Sequence, residues 1–114
     1  MKSVLLVVLA LLILLSLASG GAKIALLPQE VAFFGGAGFS DTALRIYGSF
    51  QLIAGLLLIA TKTRLYGSIL AALGFVLSTV VIMLGGDIVF GVVSLIPVVM
   101  AGFVFRQHVL AGEA

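Results

Sequence analysis

Four long apolar stretches, at 3–20, 42–60, 65–84 and 88–105, occupy most of this 114-residue chain. At about 1.5 Å of rise per helical residue, each is long enough to cross roughly 30 Å of hydrocarbon. A segment in hydrocarbon finds no water for its peptide groups and must pair them internally, which for stretches of this length means helix. The residue inventory agrees, with 63% hydrophobic and 9% charged residues, against roughly a quarter charged in soluble domains. The expected fold is an all-α integral membrane protein: an antiparallel four-transmembrane-helix bundle forming one domain over 1–114, with a short extracytoplasmic rim helix between helices 1 and 2. Little chain remains for a separate catalytic lobe, so function must reside in the bundle or at its rims.

The connections refine this picture. Thr61-Lys62-Thr63-Arg64 and Gly85-Gly86-Asp87 are so short that the helices they join must be antiparallel neighbours. The two glycines suit a helix end and Asp87 suits the next N-cap. The first connection, 21–41, is longer. In it Pro28 is placed as a first-turn residue, Gln29 and Glu30 favour the positive end of a helix, and Gly35-Gly36 stops it after Phe33 and Phe34. A short helix over 28–34 follows. Ser40 or Asp41 then caps the second span, with Asp41 four residues before Arg45 in the favourable acid-then-base order.

Lys2, Lys62, Arg64 and Arg106 fall on one side of the expected membrane and Lys23 on the other, joined by Arg45 if its side chain snorkels outward. Both termini are therefore expected in the cytoplasm of a prokaryotic cell, the chain lying in its cytoplasmic membrane. The first stretch also reads as a secretory signal, with Lys2, a Leu-rich core and Ala18-Ser19-Gly20 as a small-residue cleavage site. Loss of that segment would leave the orientation of the other three spans unchanged.

Membrane helices associate where small residues let backbones approach. Gly67, Ala71, Gly74 and Ser78 form such a stripe on the third span. Gly48, Gln51 and Gly55 share a face of the second, and Gly91, Ser94, Val98 and Ala101 or Gly102 a face of the fourth. These three faces are expected to meet. The first span is nearly pure Leu, Val and Ile and is expected at the periphery, so that Leu12→Ile should be mild and Gly74→Leu severe. Pro97 removes a backbone donor in mid-span and predicts a kink.

Arg45 is the one ionisable residue within a span, and Gln51 is the one amide. With Asp41, Glu30 and Lys23 they predict a shallow extracytoplasmic pocket for a lipid, a quinone head group or a partner's loop, with Arg45 as principal donor. The alternative is architectural: an Arg45–Asp41 pair at the interface and one interhelical hydrogen bond from Gln51. Other chemistries lack their residues. There is no Cys and a single His, His108, expected in the cytoplasmic tail, so thiolate catalysis, Cys-ligated zinc, iron–sulfur clusters and bis-histidine haem within one chain are excluded. No metal site or Ser, His and Asp constellation can be assembled, and paired carboxylates are lacking. The basic residues are scattered, which excludes a nucleic-acid surface. Gly35-Gly36-Ala37-Gly38 has no Lys-Ser/Thr sequel, so it is no phosphate loop.

Lys23, Pro28, Gly38-Phe39-Ser40, Leu44-Arg45-Ile46-Tyr47-Gly48 and the run 51–58 together resemble the DoxX-like family of small four-helix membrane proteins, as does 61–67 followed by a small-residue helix. Gln51 stands where many relatives carry an acidic residue. The resemblance implies a multi-pass membrane bundle, in a family named after a membrane subunit of a thiosulfate:quinone oxidoreductase. No cofactor is evident in the residues, so a quinone or lipid is the ligand to expect. The reading is a small non-enzymatic membrane subunit or assembly partner, meeting membrane lipid and either a protein partner or further copies of itself. The alternative is a membrane anchor or quinone-side subunit of an oxidoreductase complex. A small transporter ranks below both, because the first span lacks the acid that small multidrug exporters carry in the membrane.

Overall fold

A computed structural model describes residues 2–111. All elements among them are helical: α1 (Lys2–Ile24), α2 (Pro28–Gly35), α3 (Asp41–Ile59), α4 (Arg64–Leu84), α5 (Ile88–Val93) and α6 (Leu95–Leu110). Four helices are long and apolar enough to cross a membrane, with α5 and α6 together making the fourth.

The helix ends have local causes. Pro28 opens α2, the Ser40 hydroxyl accepts from the Ala43 amide at the start of α3, and the Asp87 carboxylate accepts from the Phe90 amide at the start of α5. Between α3 and α4 the basic turn doubles as a cap. Arg64 Nε donates to the Leu58 carbonyl at 2.9 Å and Thr63 Oγ1 to that of Leu57 at 2.7 Å, covering orphan groups at the end of α3. The fourth span is interrupted at Ser94, three residues before Pro97, where the proline's missing N–H leaves the Val93 carbonyl without a helical donor. Ser94 is held by its own hydrogen bonds, donating to the Gly91 carbonyl and pairing with Thr79 Oγ1 at 2.7 Å.

Two sequence-based expectations are revised here. The first helix does not stop at Gly20 but runs on to Ile24, so Lys23 belongs to its last turn and not to the connection. Nor is α1 loosely attached: it exposes much of its surface, as expected, but its pairing with α3 is the most extensive among the described elements. The two backbones touch at Gly20 and Gly48, where a Cβ on Gly20 would lie 2.6 Å from the Gly48 carbonyl oxygen and one on Gly48 would lie 2.6 Å from that of Gly20. Gly55 likewise lies under Ser16 and Leu17. Leu12 is wholly buried, in a core shared with Leu9, Ala54, Leu58, Ala71, Phe75, Ala101 and Val104. Glycine's usual cost in a helix is outweighed where it permits this approach.

Gly74 also differs from expectation. The nearest atoms to a Cβ there would be those of the flexible Gln51 side chain, at 3.2 Å from Cγ. Gly67 does sit against backbone, that of Leu57 and Leu58, while Gly91 lies under Met83. Ala71 and Ser78 are buried and Ser94 is half-buried. A second, smaller core of Phe34, Leu44, Tyr47 and Val81 fixes α2 across the ends of α3 and α4.

Candidate functional site

Burial selects Lys23. A lysine at 1% exposure is rare, because its ammonium must recover its hydration from protein groups. Four partners surround it. Nζ donates to Glu30 Oε1 at 2.9 Å and to Ser19 Oγ, one helical turn back, at 2.8 Å. It also stands 4.9 Å from the centre of the Phe34 ring and 5.0 Å from that of Tyr47, within reach of cation–π attraction. The rings of Phe34, Phe39 and Tyr47 pack on one another, edge-on where Phe34 takes part. Each element contributes for a local reason: α1 carries Ser19 and Lys23 at i and i+4, the proline-led α2 swings Glu30 and Phe34 over them, and α3 offers Tyr47 from the Gly48 contact face.

The polar groups continue inward. Ser19 donates to Gln51 Oε1 at 2.9 Å. Tyr47 donates to the Gly74 carbonyl and is hydrogen-bonded to Ser78. Beside this cluster opens a cavity of about 380 Å³ between α1, α4 and the α5–α6 pair, with α2 over one end. Ser19, Lys23, Glu30, Ser78 and Ser94 supply polar groups to its wall, and the rest, including Phe75, Ile82 and Pro97, is apolar.

The expected pocket is therefore rearranged. Lys23, Glu30 and Gln51 come together, but Arg45 and Asp41 stay outside. Arg45 is exposed and spends Nε on the Ile24 carbonyl at 3.2 Å. Asp41 is exposed, and the ion pair found among the described residues is Lys23–Glu30. The Asp41 pair read from the sequence for Arg45 is not formed among the described residues, and Arg45 stands apart from the Lys23 cluster. Arg45→Lys should accordingly change thermal stability by less than about 1 kcal/mol and leave any ligand of the Lys23 cavity bound, as melting curves and ligand recovery would record. Tyr47 and Phe34 were missed as site residues, and the available signal was Lys23 itself, a lone cation seven residues before an acid and flanked by aromatic residues in the next two elements. His108 lies not in a tail but in the last turn of α6, buried, its Nε2 without a partner.

No family model matches the sequence, and neither the curated proteins nor the solved structures hold a match. Function must be argued from the site alone.

Proposed function

We propose that this is an integral membrane protein of four antiparallel spans, with both termini in the cytoplasm, that binds an uncharged amphipathic lipid in the Lys23 cavity and has no catalysis of its own. The observation that carries this reading is the joining of one polar end to an apolar chamber of about 380 Å³, the usual make-up of a lipophile site. Among the described residues thirty large hydrophobic side chains are exposed, far more than water would tolerate as a continuous surface, which supports the membrane setting. Basic residues at Lys2, Lys62, Arg64 and Arg106 support the orientation.

The charge of the ligand follows from the pair. Lys23 and Glu30 already neutralise one another, so a charged head would have to break a desolvated ion pair, whereas a hydroxyl or carbonyl head can share its donors and acceptors. A quinone-like lipid meets that description, which supports a second reading: a DoxX-like membrane subunit that holds a quinone beside an oxidoreductase partner, or a homo-oligomer doing the same.

Extraction of the purified protein followed by mass spectrometry tests the site. Wild type should release a lipophile in about equimolar amount, and Ala18→Trp, which fills the chamber from its wall without touching Lys23, should release about tenfold less, the equivalent of about 1.4 kcal/mol of binding. Equal recovery from both would overturn the assignment of the cavity. Copurification of a stoichiometric dehydrogenase would favour the second reading.

A further inference from the structure

We propose a second binding site, in the groove between α3 and α4, where the Gln51 amide donates to the carbonyl of an uncharged lipid lying at mid-depth in the membrane. The groove has a volume of about 260 Å³, with Phe50, Leu70, Leu73 and Leu77 as its walls and Gln51 and Gly74 among its lining residues. It is separate from the Lys23 cavity, since Leu73 and Leu77 lie on one side of α4 and Phe75, Ser78 and Ile82 on the other.

The direction of the hydrogen bonds leads to this site. An ammonium only donates, so Ser19 Oγ accepts from Lys23, and it donates its own proton to Gln51 Oε1. In this arrangement the NH₂ end of the amide faces away from Ser19. Gln51 is 1% exposed and Nε2 has no partner, a buried donor of the kind that native structures seldom leave unmade. Gly74, which lines the groove, is the residue beside this donor, since a Cβ there would sit 3.4 Å from Nε2. Tyr47, the other polar side chain lining the groove, is engaged with Gly74 and Ser78. Gln51 alone remains to recognise a ligand.

Depth and charge narrow the ligand class. Gln51 lies about 16 Å along the helix axis from the Ser40 cap, near the middle of α3 and hence of a hydrocarbon layer of roughly 30 Å. A phosphate-headed lipid keeps its ester carbonyls near the interface, out of reach of this amide. A lipid without a charged head can bring a ketone or ring carbonyl to this depth, and the groove offers it no charged residue.

A 4-alkylbenzophenone tests this, because its carbonyl is both the hydrogen-bond acceptor and the photoreactive group. The full chain is reconstituted in nanodiscs, irradiated with the probe, and the adducts are mapped by mass spectrometry. Adducts are expected on Phe50, Leu73 or Leu77, reduced about fivefold or more by excess dialkyl ketone and by Gln51→Leu. Excess alkyl diphenylmethane, the same shape without a carbonyl, should not compete. Adducts at Phe75 or Ile82 report the Lys23 cavity and should fall in Ala18→Trp, which leaves the groove labelling unchanged, so the two sites fail or stand separately. Equal competition by the hydrocarbon, undiminished groove labelling in Gln51→Leu, or no groove labelling at all would overturn the proposal. The wild-type competition decides the matter even if Gln51→Leu does not fold.

Discussion

Gly48→Val is expected to remove more than about 3 kcal/mol of stability, beyond the range usual for an overfilled core. The reason is the nature of the obstacle. Any Cβ at 48 falls 2.6 Å from the Gly20 carbonyl oxygen and 3.0 Å from the Ile24 amide nitrogen, and backbone cannot step aside by changing rotamer. Valine adds two further methyl groups to that collision. To accommodate them α1 would have to move off α3, separating Leu12 from Ala54 and Leu58 in the shared core. Gly21→Ala and Gly102→Ala serve as controls, since nothing lies within 4 Å of either added carbon. They should be neutral or slightly stabilising, by up to about 1 kcal/mol from helix propensity. Melting of the detergent-solubilised variants reads the comparison, and a wild-type midpoint for Gly48→Val would refute the close contact.

Glu30→Ala is expected to cost about 3–5 kcal/mol, the usual consequence of leaving one buried charge without its partner. Lys23 has 2% of its side chain exposed and cannot turn to solvent, whereas Glu30 has 19% exposed. The two single variants should therefore be unequal, with Lys23→Met the milder because the surviving carboxylate can rehydrate. Combining the two should recover most of the loss, since the methionine stem packs against Phe34 and Tyr47 without a charge to satisfy. A double-mutant cycle by chemical unfolding measures this coupling. Additive losses would mean that the two residues act independently.

What could be read in the sequence and what could not divides along physical lines. Cap signals act over three or four residues, and they held: Pro28 opens α2, Ser40 caps α3 and Asp87 caps α5. The length and apolarity of four helices were legible for the same reason, being properties of contiguous chain. The first apolar stretch was bounded at Gly20, yet the glycine lies inside a helix that runs to Ile24. The helix continues through it because Gly48 stands opposite, a fact about residues 28 positions apart. Lys23 was misplaced with it, and its burial in the last turn of α1 went unread while Arg45, which is exposed, drew the attention. The apolar face of α1 hid Ser16 and Gly20, small residues one turn apart that match Gly55 and Gly48 across the contact. In a stretch so rich in leucine, two small residues were the signal for a partner.

The α1–α3 contact has a consequence for the order in which the protein can be made. Gly20 against Gly48, Lys23 with Glu30, and Ser19 on Gln51 all fall within residues 2–59. Synthesis adds about 5–20 residues per second and earlier parts fold first, so these partners exist while α4, α5 and α6 are still unmade. The charge most costly to leave alone is matched to an acid seven residues later, delivered within about a second of it. The nascent half thus carries its own means of hiding the Lys23–Glu30 ion pair. The second half then has only to dock on a pair of helices already joined.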